Sequence, residues 1–422
     1  MKTTFFLIYY GMEGIEPELI EYGFAKAKEM GYNVVLVEGN PRNYHAGGFV
    51  TSADYGIFIL RSIKVNNRGG LGLMETNNQH KRRVRYSGTH PRSFKEKYKE
   101  HNPEKYADTI EKVIQKGSTP AGMHISICVK EIIDFLQIQP GQIGLDATLG
   151  YGGHTKAMLE CLKGEGHIYA LDVDPIESVK TKERLAKQGY GEEILTVRLQ
   201  NFADMDLVVK ETGQKFDFIL ADLGVSSMQI DNPDRGFSYK VEGPLDLRMN
   251  PQKGTSAAER LKEVTEEELV GMLRENADEP YAEEIAATVM KWYKKGKSIE
   301  TTTHMKEVIE QALCRVPKEE RAEAVKKSCA RTFQALRIDV NSEFEVLYTF
   351  LEKLPEVLAP NGRVAILTFH SGEDRLVKRS FKELEKAGIY SEVCKDCIRP
   401  SAEECARNSR AKCTKMRWAI KA

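Results

Sequence analysis

No charge of one sign dominates this chain. Its 62 lysines and arginines face 62 aspartates and glutamates, so no global field draws it onto nucleic acid or anionic lipid, and any such contact must come from local patches. Long hydrophobic runs are missing too. The longest apolar N-terminal stretch, Phe5 to Tyr10, is too short to span a bilayer, and no small-residue cleavage site follows it, so the expectation is a cytoplasmic protein with no membrane partner. Cysteine is sparse, 8 in 422 residues, which excludes a secreted disulfide scaffold. What is present, 41% hydrophobic and 29% charged residues, is the composition of a globular protein that folds in water. The length exceeds what one hydrophobic core usually serves.

Periodicity divides the chain into three stretches, with a fourth embedded in the last. Residues 1–65 read as a small α/β piece: a strand over Thr3 to Tyr10, a helix over Pro17 to Met30 with Ile20, Phe24 and Ala27 on one face, and a strand over Val34 to Val37. Residues 66–122 lack sustained apolar periodicity, carry Gly69, Gly70, Gly72, Pro91, Pro103 and Pro120, and read as a basic linker or surface-hugging arm. Over 123–422 strands and helices alternate: Ile143 to Asp146, a helix from His154, Ile168 to Asp172, a helix from Pro175, Thr196 to Leu199, then Phe216 to Asp222. That is the pattern of a parallel sheet with helical crossovers. Strand signals stop over about 230–330, where charged helical segments take over, with Thr265 and Glu268 set as a capping box ahead of Leu269 and Met272. They resume at Gly362 to Phe369, after the Pro360-Asn361-Gly362 turn. The expected class is α/β: a doubly wound sheet with an inserted helical domain, plus the small N-terminal piece.

The most informative segment runs from Gly144 to His154, a strand entering a glycine-rich turn and then a helix. Glycine serves where the backbone must turn tightly and approach a ligand closely. A dinucleotide fingerprint asks for a third glycine where Thr155 stands, which lowers that reading without removing a dehydrogenase from contention. Asp146 ahead of the turn and the acidic strand end Leu171-Asp172-Val173-Asp174 favour S-adenosylmethionine, with a carboxylate placed to accept both ribose hydroxyls. A tight structural connection is the plain alternative. Asp222, ending the apolar Phe216 to Asp222 strand, is expected in the same crevice as Gly150.

Six segments resemble one family: Asp146-Ala147-Thr148-Leu149-Gly150-Tyr151-Gly152-Gly153-His154, the run from Asp222 to Gln229, Arg235-Gly236-Phe237-Ser238, Gly243 to Met249, Arg331 to Ile338, and Phe369 to Arg375. In unbroken order over roughly 123–422, they are similar to the ribosomal RNA small-subunit methyltransferase H family. The resemblance implies a class I, Rossmann-like methyltransferase that uses S-adenosylmethionine to methylate N4 of a cytidine in the decoding region of small-subunit rRNA, free or in an assembling subunit. It implies a cofactor site of Gly152, Gly153, His154, Asp172, Phe202, Asp222 and Gln229. Cytosine N4 is a poor nucleophile because its lone pair is delocalised, so an acceptor for the amino group would help it rehybridise. Asp222 and the Ser226-Ser227 turn are the first candidates, and His370 with Glu373 and Asp374 a second group; packing or structural capping is the plain alternative for Phe202, Asp222 and His370.

Two features depart from that family. Gly11 to Gly56 resembles part of an acetyl-CoA-dependent N-acetyltransferase of the GNAT class, but Glu16 stands where a pyrophosphate should approach a helix N-terminus, and the stretch is about half the length such a fold needs. No activity is assigned to it. Cys394, Cys397, Cys405 and Cys413, with two, seven and seven residues between them, are spaced to allow a structural zinc site. Two basic blocks are candidate rRNA contacts: Lys81 to Arg85 with Arg92, Lys95, Lys97 and Lys99, and Arg399, Arg407, Arg410, Lys412, Lys415 and Arg417, with Tyr86 and Trp418 available for stacking. Competing readings are a methyltransferase acting on a protein or small molecule, and a noncatalytic RNA-binding relative.

Overall fold

A computed structural model describes residues 5–9, 34–38 and 126–422, apart from 227, 228 and 231. The chain divides into two units, Met1–Tyr86 and Ser87–Ala422. In the first, strands Phe5–Tyr9 and Val34–Glu38 pair in parallel, with Phe5 opposite Val34. Parallel neighbours require a crossover between them. The helix expected over Pro17 to Met30, the rest of the GNAT-like stretch and the basic arm of 66–122 lie outside the described residues.

The second unit is built on a seven-stranded sheet. Its strands are β1 (Ile143–Asp146), β2 (His167–Asp172), β3 (Leu195–Leu199), β4 (Phe216–Asp222), β5 (Leu358–Thr368), β6 (Tyr390–Val393) and β7 (Lys415–Lys421), in the order β3-β2-β1-β4-β5-β7-β6. All pairings are parallel except those of β7, which runs antiparallel to both β5 and β6. The apolar run of β4 suits a central strand buried on both faces. Alternate residues of β4 and β5 feed two cores: Ile219, Val364 and Ile366 pack on one side with Leu145 and Leu354, while Phe218, Leu220, Ala365 and Leu367 pack on the other with Ile168 and Met158. Gly144 is required on β1, because a Cβ there would stand 2.0 Å from the Phe218 ring. β5 begins at Leu358, four residues before the turn-based expectation, because Leu358 already pairs with Phe216 ahead of a register shift.

Helices α1 (Val129–Leu136), α2 (Gly153–Leu162), α3 (Pro175–Lys187) and α4 (Asp206–Thr212) belong to the first half of the sheet domain. Between β4 and β5 come α5 (Ala257–Glu263), α6 (Glu266–Ala277), α7 (Ala282–Lys294), α8 (Thr302–Ala312) and α9 (Lys318–Asn341). These share a third core of their own, including Leu269, Ile285, Val289, Met305, Phe333 and Leu336. The Thr265–Glu268 capping box forms at the start of α6. Helix α10 (Glu343–Val357) then returns the chain to the sheet, placing Leu347, Phe350 and Leu351 in its core, and α11 (Ser371–Lys386) follows β5. A short α12 (Ala402–Arg407) lies between β6 and β7.

Candidate active site

Three aspartates close neighbouring strands, Asp146 on β1, Asp172 on β2 and Asp222 on β4. The strand order reverses between β1 and β4, and in open α/β sheets ligands lodge beyond the carboxyl ends at such a switch point. The β1–α2 turn lines that space. Gly152 is the N-cap of α2 at φ 73°, and a Cβ there would lie 2.8 Å from Thr181. Gly153 is the first helical residue and His154 the second. The turn is pinned from β2: Asp172 accepts the Gly150 N–H at 2.8 Å through one oxygen and the Asp174 N–H at 2.8 Å through the other. Each carboxylate oxygen keeps a further lone pair for a ligand hydroxyl. Burial, opposed by those two hydrogen bonds, pushes the Asp172 carboxyl from 3.8 up to about 6.

Asp146 is buried and accepts from the Thr148 N–H at 3.0 Å and the Thr155 hydroxyl at 2.6 Å. The Thr148 hydroxyl in turn accepts the Asp222 N–H at 2.6 Å. Asp222 Oδ2 faces His154 Nδ1 at 3.5 Å, while Oδ1 is buried with no hydrogen-bond partner. The side chain remains 30% exposed towards solvent. Burial raises its carboxyl to about 6 against the lowering effect of His154. On its far side His154 Nε2 contacts the Ile127 carbonyl at 2.9 Å. A carbonyl only accepts, so Nε2 bears a proton, and Nδ1 bears one only in the imidazolium.

The remaining sequence candidates fall into supporting positions. Gln229 spends both ends of its amide: Oε1 accepts the Ser226 N–H at 2.9 Å, and Nε2 donates to Asp174 at 2.8 Å. The Ser226 hydroxyl accepts the Gln229 N–H at 3.2 Å, a local cap. Ser227 lies outside the described residues. Phe202, just after β3, stands edge-on to Phe350 at 5.1 Å and is part-buried. His370 caps α11, with Nε2 3.2 Å from Glu373 Oε1 and its ring edge-on to Phe344. Glu343 beside it is gripped by both arms of Arg337, at 2.7 and 2.9 Å. His370 thus sits in a buried charge cluster one strand over from Asp222, with the Leu223 N–H bonded to the Leu367 carbonyl between them.

Sequence reasoning missed the latch behind the turn. Arg235, 7% exposed, donates to Asp174 at 2.6 Å and to the carbonyls of Arg248 and Met249 at 3.1 and 2.7 Å. Burial works against the Asp174 carboxylate, but Arg235 and Gln229 more than offset it and hold the carboxyl below its ordinary range. The same Asp174 caps α3 through the amides of Ile176 and Glu177. Nothing in the sequence marked Arg235 as the partner of Asp174.

The structure bears on three expectations near the C-terminus. Among the described residues, the groups of three or more potential ligands with atoms mutually within 4.8 Å are Cys128–Glu131–Glu404 and Glu343–His370–Glu373. No group drawn from Cys394, Cys397, Cys405 and Cys413 is among them, so the described residues lend the expected zinc site no support. Cys394 ends just past β6 and accepts the Trp418 N–H at 3.3 Å, whereas Cys405 is on α12 with its sulfur 3.9 Å from the Pro400 carbonyl. Lys415 and Arg417 are both bound to Asp374 at 2.6 Å and are not free for phosphate. Trp418 stacks on Phe135 at 4.7 Å, so one face of its ring is already taken.

A sheet ordered β3-β2-β1-β4-β5-β7-β6 with only β7 reversed, and a glycine turn against acidic strand ends, defines a class I methyltransferase fold. The MraW methylase family matches residues 121–422, and the chain belongs to that family. It is 71% identical to ribosomal RNA small subunit methyltransferase H 1 of Lachnoclostridium phytofermentans, over 81% of this chain and 93% of that protein. It is 66% identical to the protein of the same name from Agathobacter rectalis, over 83% of this chain and all of that one. A more distant relative, ribosomal RNA small subunit methyltransferase H of Solidesulfovibrio magneticus, is 38% identical over 70% of this chain and 95% of its own length. Among solved structures, a SAM-dependent O-methyltransferase from Thermotoga maritima aligns with 74% of this chain and 71% of its own at 11% identity and a TM-score of 0.34, which adds nothing to the topology above. No helix among the described residues is long and apolar enough to cross a membrane.

Proposed function

We propose that this methyltransferase transfers a methyl group from S-adenosylmethionine to N4 of a cytidine in the decoding region of small-subunit rRNA. The observation that carries the reading is the Asp222 carboxylate at the switch point, which remains 30% exposed and keeps acceptor capacity beyond its contact with His154. Such an acceptor suits a donor, and an exocyclic amino group provides one. The names of the relatives support rRNA over a protein or small molecule as substrate.

The residues present fit the cofactor. The Gly150–Gly153 turn leaves no room for a Cβ at Gly152, Asp172 keeps lone pairs for ribose hydroxyls, and Phe202 stands part-buried after β3 for the adenine. When bound, S-adenosylmethionine supplies an electrophilic methyl on a sulfonium. Asp222 accepts one amino hydrogen, lets the N4 lone pair localise, and takes the proton that N4 sheds as it is methylated. His154, held from behind by Ile127, orients Asp222 and shares that proton. The Gln229 and Arg235 contacts fix the loops so that nucleophile and methyl can be held in line. The target base leaves its stack to enter this space. Mapping N4-methylcytidine in rRNA from cells with and without the gene tests the reading; an unchanged modification map overturns it.

Asp172→Ala should weaken binding of S-adenosylhomocysteine at least about tenfold, through two lost charge-assisted hydrogen bonds of roughly 1.5 to 3 kcal/mol each. Unchanged calorimetric affinity would remove Asp172 from the ribose.

The pH dependence has a definite sign. Asp172 and Asp222 have carboxyls raised in the fold to about 6 from 3.8, so the folded chain binds these protons more tightly than the unfolded one. Their stabilising contribution is full below the unfolded value and is lost as pH rises through about 6. Cofactor binding, which needs Asp172 as an acceptor, runs the other way and should weaken as pH falls from 7 to 5. Titrations across that range giving a flat affinity for S-adenosylhomocysteine would contradict it.

A further inference from the structure

The pair His154–Asp222 is held by a part of the chain far from it in sequence. Cys128 adopts a left-handed backbone at φ 57°, unusual for a residue with a Cβ, immediately before α1. Its N–H donates to Glu404 Oε1 on α12 at 2.9 Å. Its own carbonyl accepts the Ile132 N–H at 2.9 Å and opens α1. The peptide between Ile127 and Cys128 is therefore fixed at one end by Glu404, and its other end, the Ile127 carbonyl, is the group that meets His154 Nε2. Glu404 is itself seated, since the Ser401 hydroxyl accepts its N–H at 3.1 Å as the cap of α12.

We infer that Glu404 is a positioning residue for methyl transfer: by anchoring the Ile127–Cys128 peptide it holds His154 in the Nε2–H form and keeps Nδ1 turned to Asp222. The inference rests on the reading of Asp222 as the acceptor for the reacting amino group. A peptide plane is rigid, so a hydrogen bond to its N–H fixes the direction of its C=O. The C=O direction decides which imidazole nitrogen carries the proton, and so whether Nδ1 can share one with Asp222. Without Glu404 the Cys128 N–H loses its acceptor, and its left-handed backbone loses the contact that supports it. The titratable groups facing this chain of contacts are few. Asp146 and Glu373 act on Asp222, while Glu131, Glu404, Asp222 and Cys405 act on the buried Cys128 thiol. Arg337 acts on Glu373. None of these lies between Ile127 and His154.

The test compares Glu404→Ala with Glu404→Gln in the full chain. Glutamine keeps an oxygen acceptor for the Cys128 N–H, and alanine does not. Glu404→Ala should lower single-turnover methyl transfer to small-subunit rRNA roughly tenfold, below the about 10²- to 10⁴-fold worth of an acid–base group because the pair is displaced and not removed, and should move the acidic limb of its pH profile. Glu404→Gln should restore both. A second measurement does not depend on activity: nitrogen-15 spectra of the His154 imidazole should show the Nε2–H form in the wild type and in Glu404→Gln, and a mixture of forms in Glu404→Ala. Should the wild type methylate no cytidine while these spectra behave as stated, the role of Asp222 fails and the anchoring stands. An unaltered His154 spectrum and pH profile in a folded Glu404→Ala would overturn the anchoring. Loss of fold in Glu404→Ala together with wild-type behaviour of a Cys128→Gly variant, which relieves the left-handed strain and keeps the N–H, would leave the anchoring to be decided by Glu404→Gln: a shifted profile there would overturn it and an unshifted one support it.

Discussion

Arg235→Ala should destabilise the sheet domain by about 3 to 5 kcal/mol, the loss expected when one member of a buried ion pair is removed and its partner stays charged. Both side chains are enclosed, at 9% and 1% exposure, so solvent cannot take over the screening of Asp174. The guanidinium also satisfies the carbonyls of Arg248 and Met249, which would be left bare. Denaturant unfolding followed by circular dichroism gives the number. Adding Asp174→Asn to the alanine variant should recover part of the loss, because the stranded charge is then gone. A single variant less than about 1 kcal/mol below the parent, the level of an exposed pair, would show that the latch contributes little.

Asp222→Asn should reduce methyl transfer by about two to four orders of magnitude, the usual worth of a positioned acid–base group. Asparagine preserves the shape and an acceptor oxygen but cannot take the proton from N4. Affinity for S-adenosylhomocysteine should change much less than the rate, since Asp172 and the glycine turn hold that ligand. Single-turnover assays with saturating cofactor separate the two, and a variant retaining the parental rate would exclude Asp222 as the proton acceptor.

The strands that carry the site were legible because their signal is local: β1, β2 and β4 are short apolar runs that each end in aspartate, and the glycine turn follows β1 directly. The capping box of α6 was legible for the same reason. What could not be read were partnerships closed by the tertiary fold. Arg235 stands 61 residues from Asp174 and Glu404 stands 276 from Cys128, and a lone charged residue gives no sign of being buried against another. The cysteine spacing suggested convergence, yet it cannot show whether a strand end, a loop, a short helix and a further turn bring four sulfurs within reach of one ion. Lys415 and Arg417 read in sequence as rRNA contacts, but β7 sets them beside Asp374.

The third core also bears on how this chain can assemble. β4 and β5 are hydrogen-bonded neighbours, yet the whole α5–α9 segment separates them in sequence. Bringing the ends of so long a stretch together costs entropy if it is a flexible loop. A segment that condenses on its own apolar residues, Leu269 to Leu336, shortens the effective distance between the two strands. A core formed within α5–α9 thus lowers the entropic cost of closing the central parallel pair, and with it the crevice around Asp222.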